Sequence, residues 1–211
     1  MKEFSVAMAL TDFVPVVLFT WAGVLMMRDL YNKMSKGAFA LLAAGLIDVT
    51  AAGGLKALYK LLYAAGICDF TPLSAMFFPV QALGFLLTGV GLLAMMLHRQ
   101  GKNAVYAAAP PVFSGTFIFV GMMVAGIGII STVFSILAKK LGKPALCILF
   151  IIAFFGMLSM GYLSSRDFDK ASMNWIAEGV NILAQGSLLL GVFQLHKAGL
   201  ASLQLEKGAH E

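Results

Sequence analysis

The stretch from Pro72 to Leu97, PLSAMFFPVQALGFLLTGVGLLAMML, decides the fold class because it contains no charged residue. A helix of about 20 apolar residues is long enough to cross the hydrocarbon core of a bilayer, which is roughly 30 Å thick. This stretch exceeds that length. It therefore predicts a transmembrane helix, and the same criterion applies to the rest of the chain.

Five more stretches are long and apolar enough to form such helices. Prolines fit the first turn of a helix, so Pro72, Pro111 and Pro144 mark predicted helix starts, whereas Pro15 and Pro79 inside spans predict kinks. The sequence predicts an all-α polytopic transmembrane helix bundle, a single domain over residues 1–211, with both termini on the same side. The predicted spans are residues 4–27, 37–67, 72–97, 111–138, 145–165 and 171–195.

The composition excludes an ordinary soluble domain. Hydrophobic residues make up 60% of the chain and charged residues only 12%, against about 25% charged residues in soluble proteins. The net charge of +5 arises from basic residues between apolar runs, where Lys and Arg meet lipid headgroups rather than nucleic acid. We expect an integral protein of a cell (plasma) membrane, with the lipid bilayer as its partner. If successive spans alternate in direction, eight basic residues on one side oppose seven on the other, so orientation is not predicted.

The chain contains a candidate internal repeat. Residues 69–99 resemble residues 167–197, each beginning Asp-Phe and ending with His beside a basic residue, at an offset of 98. Three-helix units 1–100 and 101–197 would follow, and an odd number of alternating spans turns the second unit upside down. Inverted repeats of this kind are a recurring transporter architecture. The alternative is a chance similarity between apolar segments.

Five ionisable residues lie inside the predicted spans: Asp12, Asp48, Lys56, Lys60 and Glu178. An ionised group at the bilayer centre costs about 2.5 kcal/mol or more, so such groups usually serve a function. Asp12 lies near a span end, where we expect it to reach the interface or cap a helix, and it is a secondary candidate for a functional role. Lys60 is expected to extend its ammonium group to the headgroups, whereas Lys56 fits this interpretation and a polar path equally well.

The four-residue spacing of Asp48, Lys56 and Lys60 places them along one face of the second span. Such a face predicts a polar path with Asp48 deepest, because its short side chain cannot reach the interface. In that path, Asp48 and Glu178 would bind a cation or proton, or pair with Lys56.

The sixth span carries Glu178 on one face with Asn174, Asn181 and Gln185. Unsatisfied polar groups in lipid cost several kcal/mol, so this face is expected to meet protein or water. Interhelical hydrogen bonding that holds the bundle together is the structural alternative. With Gln81 of the third span added, the candidate binding residues are Asp48, Lys56, Gln81, Asn174, Glu178, Asn181 and Gln185.

The sequence contains no motif of a known enzyme class: HExxH, GxSxG, a Walker loop and CxxC are all missing. Cys68 and Cys147 have no metal-ligand spacing, and His98 and His196 are expected at the interface, so we expect no metal site and no cofactor. The pattern favours a secondary transporter or channel for a small polar or charged solute over an enzyme. A non-transporting subunit or assembly factor of a membrane complex, a membrane-embedded enzyme acting on a lipid-like substrate, and a homo-oligomer remain open.

Overall fold

The computed structural model describes residues 5–97, 116–163 and 171–205, and within these ranges the regular elements are helices without strands. Six helical segments are long and apolar enough to cross a membrane, which confirms the prediction of an all-α polytopic bundle. Residues 4, 111–115 and 164–165 of the predicted spans lie outside the described ranges. The six spans are Val6–Lys33, Lys36–Ala64, Pro72–Leu97, Ile118–Lys140, Pro144–Leu163 and Ala171–Lys197.

The spans are built from eight α-helices and short 3-10 turns among the described residues. Two spans consist of a short helix followed by a long one. In chain order the helices are α1 (Val6–Thr11), α2 (Phe13–Leu30), α3 (Lys36–Ala64), α4 (Pro72–Ala75), α5 (Phe77–Leu97), α6 (Thr116–Lys140), α7 (Cys147–Leu163) and α8 (Ala171–Lys197).

The first and third spans each contain a local irregularity near the N-terminus. Helix α1 ends before Asp12 and α4 ends before Met76, although both residues keep helical backbone angles. In each case a proline, Pro15 or Pro79, follows three residues later. Because proline has no backbone N–H, it cannot donate to the carbonyl group four residues earlier, which weakens the helix just before it. The predicted disturbances at Pro15 and Pro79 therefore occur one turn upstream, without a break in the span.

The third and fourth spans run in the same direction. The rings of Phe78 and Phe119, near the starts of these spans, have centroids 6.3 Å apart. Further along both spans, Gly89 faces Gly126 so closely that a Cβ atom on Gly89 would lie 3.0 Å from the Gly126 carbonyl oxygen. Residue numbers rise in the same direction along both spans at this contact, which we call the seam, so the two helices are parallel. Leu97, which ends the third span, and Thr116, which begins α6, therefore lie at opposite ends of the bundle.

The first and sixth spans are parallel as well. The carboxyl groups of Asp12 and Glu178 are neighbours at the beginnings of these spans, and Asp29 and His196 form a hydrogen bond at their ends. Apart from the third and fourth spans, the spans that follow one another directly in the chain are antiparallel. The first and second spans are joined by Asp12 with Lys60 and Tyr31 with Phe39, and the second and third by Gly45 with Thr88 and Gly91 with Ala38. The fourth and fifth are joined by Gly128 with Phe154 and Gly161 with Met123, and the fifth and sixth by Gly156 with Ala184 and Gly191 with Phe150.

This order makes the prediction of an inverted repeat wrong for the described helices. The third and sixth spans run in the same direction, since each is parallel to the first. Two three-helix halves, the first to third and the fourth to sixth spans, thus share one orientation. The prediction that both termini lie on the same side is also wrong, because Ser5 and Leu205 are at opposite ends. Both predictions required every pair of successive spans to be antiparallel, and the third and fourth spans are parallel.

We call the two ends of the bundle the cavity end, where the first, third, fourth and sixth spans begin, and the basic end, where they finish. The assignment of eight basic residues to one side and seven to the other relied on alternating spans, and the parallel third and fourth spans remove that basis for the described residues. Of the described basic residues, only Lys56 and Lys60 are near the cavity end, and both lie within a span. Those at the basic end are Arg28, Lys33, Lys36, Lys139, Lys140, Lys143 and Lys197.

Candidate functional site

A cavity lies between the six spans at the cavity end of the bundle. It is partly open to the exterior, and all six spans contribute to its wall. The polar lining residues are Asp12, Thr50, Lys56, Lys60, Gln81, Glu178, Asn181 and Gln185, and the larger apolar ones include Phe19, Phe77, Phe78, Phe85, Met123, Ile127, Met157 and Met160.

Asp12 and Lys60 form a buried ion pair on the cavity wall. The Lys60 ammonium nitrogen lies 2.6 Å from Oδ2 of Asp12, and the two side chains are only 7% and 6% exposed. The expectations that Lys60 extends to the headgroups and that Asp12 reaches the interface are therefore wrong. An ammonium group this deep needs a negative partner, and Asp12 of the neighbouring antiparallel span provides it.

Lys56 and Glu178 bring two more charges to the same cavity. Lys56 lies one turn before Lys60 on α3. Its ammonium nitrogen is 4.0 Å from the centre of the Phe77 ring, which is a cation–π contact. Glu178 is buried on α8 and interacts electrostatically with Asp12, Lys56 and Lys60. Lys56 and Glu178, which the sequence analysis assigned to one candidate site, both line this cavity. Two carboxyl and two ammonium groups thus converge from the first, second and sixth spans.

The amide side chains continue this polar wall along α8 and α5. Gln185 is buried, and its Nε2 donates to Oδ1 of Asn181 at 3.5 Å. Gln81 of α5, another candidate binding residue, also lines the cavity. Asn174 lies one turn before Glu178 and is fully buried, but it does not contribute to the cavity wall. Three of the four predicted amides therefore surround the charged groups.

Asp48 is placed apart from the other candidate residues. It is partly exposed, does not line the cavity, and lies on α3 against Gly84 of the third span. The geometry of an α-helix explains this separation, because each step of four residues advances by about 400° and leaves a drift of about 40°. Three such steps separate Asp48 from Lys60, so the two side chains point about 120° apart. The structure does not bring Asp48 together with Glu178.

No protein-family model, curated protein or solved structure matches this chain. The residues that surround the cavity are therefore the basis for any functional conclusion. Within the ranges that the structure describes, no three His, Cys, Asp or Glu side chains come together in a way that could hold a metal ion.

A second polar cluster joins the first and sixth spans at the basic end. The Nδ1 atom of His196 lies 2.9 Å from Oδ2 of the fully buried Asp29 carboxylate, and Arg28 donates to the Nε2 atom of the same ring. The tautomer that satisfies both partners carries its proton on Nδ1. Lys33 donates to the carbonyl groups of Ala201 and Leu203. His196 thus has defined partners within the protein, whereas His98 lies outside the described residues.

Asp12, Lys60 and Asp29 are the residues whose importance the sequence reasoning missed. Two lysines within a span require negative partners, and this requirement was a usable signal for Asp12. The position of Asp12 three residues before Pro15 was another, because a weakened helix near a proline can expose polar groups to a cavity. Asp29 followed Arg28 at the predicted span end and gave no comparable signal.

Proposed function

We propose that this protein is a transporter for a small polar or charged solute, and that the cavity at one end of the bundle is the solute-binding site. The observation that carries the proposal is the convergence of Asp12, Lys56, Lys60 and Glu178 on a cavity formed by all six spans. Ionisable side chains inside a membrane are expensive and commonly mark the path of an ion or solute. A scaffold subunit would gain little from burying four of them around open space.

The relation between the two halves also suits transport. Transporters include proteins built from two units of the same orientation, with the substrate between them. Here Asp12 and the two lysines belong to the first half, whereas Glu178, Asn181 and Gln185 belong to the second. A solute that contacts both sets would couple its binding to the relative position of the halves.

Cysteine accessibility tests transport without knowledge of the solute. We would replace Cys68 and Cys147 by serine and introduce Met160→Cys on the cavity wall of the fifth span. Oriented vesicles would be treated with a membrane-impermeant thiol reagent from each side in turn. A transporter exposes its site alternately, so Met160→Cys is expected to react from both sides.

The matched control is Ile151→Cys on the same span, at a side chain that is 51% exposed on the outside of the bundle and is expected to be covered by lipid. This position should react from neither side. Reaction of Met160→Cys from only one side would contradict alternating exposure. That result would favour the enzyme or complex-subunit alternatives.

A further inference from the structure

The charged groups of the cavity are balanced. When Asp12, Glu178, Lys56 and Lys60 are all ionised, two negative and two positive charges are present. Asp12 and Lys60 are held together at 2.6 Å, so each reduces the effect of the other on a ligand. Lys56 and Glu178 are the other two charged groups and belong to different halves of the bundle, and Glu178 also lies beside Asp12.

This balance restricts the net charge of a ligand. An uncompensated charge in a cavity enclosed by membrane-spanning helices costs free energy, because the surrounding protein screens it more poorly than bulk water does. A ligand that carries only one charge would leave such an excess. A zwitterion places a negative group near Lys56 and a positive group near Glu178, and it leaves the sum unchanged.

The rest of the wall indicates what else the ligand carries. Phe77, Phe78 and Phe85 of the third span line the cavity beside methionines of the fourth and fifth spans. Aromatic and methionine side chains form an adaptable apolar surface. The amide groups of Gln81, Asn181 and Gln185 offer neutral donors and acceptors beside the charges.

We propose that the cavity binds a small zwitterion, with its carboxylate at Lys56, its ammonium group at Glu178 and an apolar group against the phenylalanines. An α-amino acid with an apolar side chain has this chemistry. The inference rests on the proposed transport function and names the class of solute. Asp12 and Lys60 keep their own pairing and hold the first and second spans in place around the ligand.

A matched set of four compounds of equal shape tests the charge requirement. Leucine is the zwitterion, leucinamide carries only the ammonium group, 4-methylpentanoate carries only the carboxylate, and 4-methylpentanamide carries neither. Binding to the full chain in lipid nanodiscs would be measured by calorimetry, with alanine, methionine and phenylalanine as further zwitterions. We expect at least one zwitterion to bind about tenfold or more tightly than its singly charged and neutral analogues.

Two substitutions should change the selectivity in opposite directions. Glu178→Gln removes a negative charge, so the protein should come to prefer 4-methylpentanoate over leucine. Lys56→Gln removes a positive charge and should favour leucinamide. Lys36→Gln, the same exchange at an exposed lysine of the basic end, should leave the order unchanged. If Lys56 and Glu178 had a purely structural role, the substitutions would weaken the binding of all compounds without changing the order of their affinities.

The possible failures separate this inference from the transport function. If a singly charged or neutral compound binds as tightly as every zwitterion, or if no zwitterion binds, the zwitterion inference is overturned. Alternating labelling of Met160→Cys would still uphold transport in those cases. If that labelling also fails, the transport proposal falls with it.

Discussion

Asp29 and His196 connect the ends of the first and sixth spans, and the Asp29 carboxylate is fully buried next to the Nδ1 atom of the imidazole ring. Asp29→Ala would leave the Nδ1 proton of His196 and the Arg28 side chain without this acceptor. We expect a loss of about 1–3 kcal/mol in the free energy of unfolding, as for other buried groups deprived of a partner. Asp29→Asn keeps one acceptor oxygen and should lose less.

Thermal or denaturant unfolding in detergent would measure this loss, with Lys36→Ala at an exposed position as the control. Equal unfolding behaviour of Asp29→Ala and the unmodified protein would contradict a structural role for this contact.

Because Asp12 and Lys60 form an ion pair, the effect of replacing one of them on the free energy of unfolding should depend strongly on whether the other is present. Lys60→Met alone leaves a buried carboxylate, and removal of one member of a buried pair typically costs about 3–5 kcal/mol. The double variant Asp12→Asn/Lys60→Met restores the charge balance of the cavity, so it should recover much of the loss. A double-mutant cycle of unfolding free energies measures the coupling. Additive effects would show that the pair contributes little, and Lys36→Met provides an exposed-lysine control.

The seam between the third and fourth spans predicts contrasting effects at two glycines of α6. A Cβ atom on Gly126 would overlap the backbone of Phe85 and Leu86, whereas a Cβ atom on Gly121 meets nothing within 4 Å. Gly126→Ala should therefore destabilise the protein by about 1–3 kcal/mol or more, in the range of overpacked cores. Gly121→Ala should be neutral or slightly stabilising, because alanine favours helix. Similar unfolding temperatures for the two variants would contradict the parallel packing of this seam.

The distribution of basic residues predicts the orientation of the bundle. Lys and Arg are enriched on the cytoplasmic side of membrane proteins, and the seven described basic residues outside the cavity, from Arg28 to Lys197, lie at the basic end. We expect this end in the cytoplasm and the cavity on the opposite face.

In a chain without its native cysteines, Ser5→Cys should react with an impermeant reagent from outside the cell, and Ser202→Cys only after permeabilisation. If both positions react from the same side, the parallel arrangement of the two halves is wrong. If Ser202→Cys reacts from outside the cell and Ser5→Cys only after permeabilisation, the predicted orientation alone is wrong.

The hydropathy of the chain was sufficient to predict the six spans and the all-α fold. Run length determines this outcome, and a single internal charge such as Glu178 does not cancel the apolar signal of its span. The cavity residues of α8 were also predictable, since a helical face of amides around Glu178 avoids lipid. The direction of the fourth span was not predictable, because its close contact with Gly89 depends on backbone packing between residues far apart in the sequence.

The individual charges were harder to place than the spans. Spacing identified a common side of α3 for Asp48, Lys56 and Lys60, but the drift of the helix between them separates Asp48 from the cavity. The depth of Lys60 depended on whether a carboxylate of another span approached it. A single sequence carries no measure of that distance, so the ion pair with Asp12 required coordinates.

The parallel pairing of the two halves gives the bundle a net electric polarity. Helix N-termini carry about +0.5 of an elementary charge and C-termini about −0.5. Four spans begin at the cavity end and two finish there, so the backbone contributes about one positive elementary charge at that end and the opposite charge at the other. A bundle with strictly alternating spans would have no such excess. The backbone field therefore favours the carboxylates of Asp12 and Glu178 where they lie, and it favours the lysines and arginine that surround the other end.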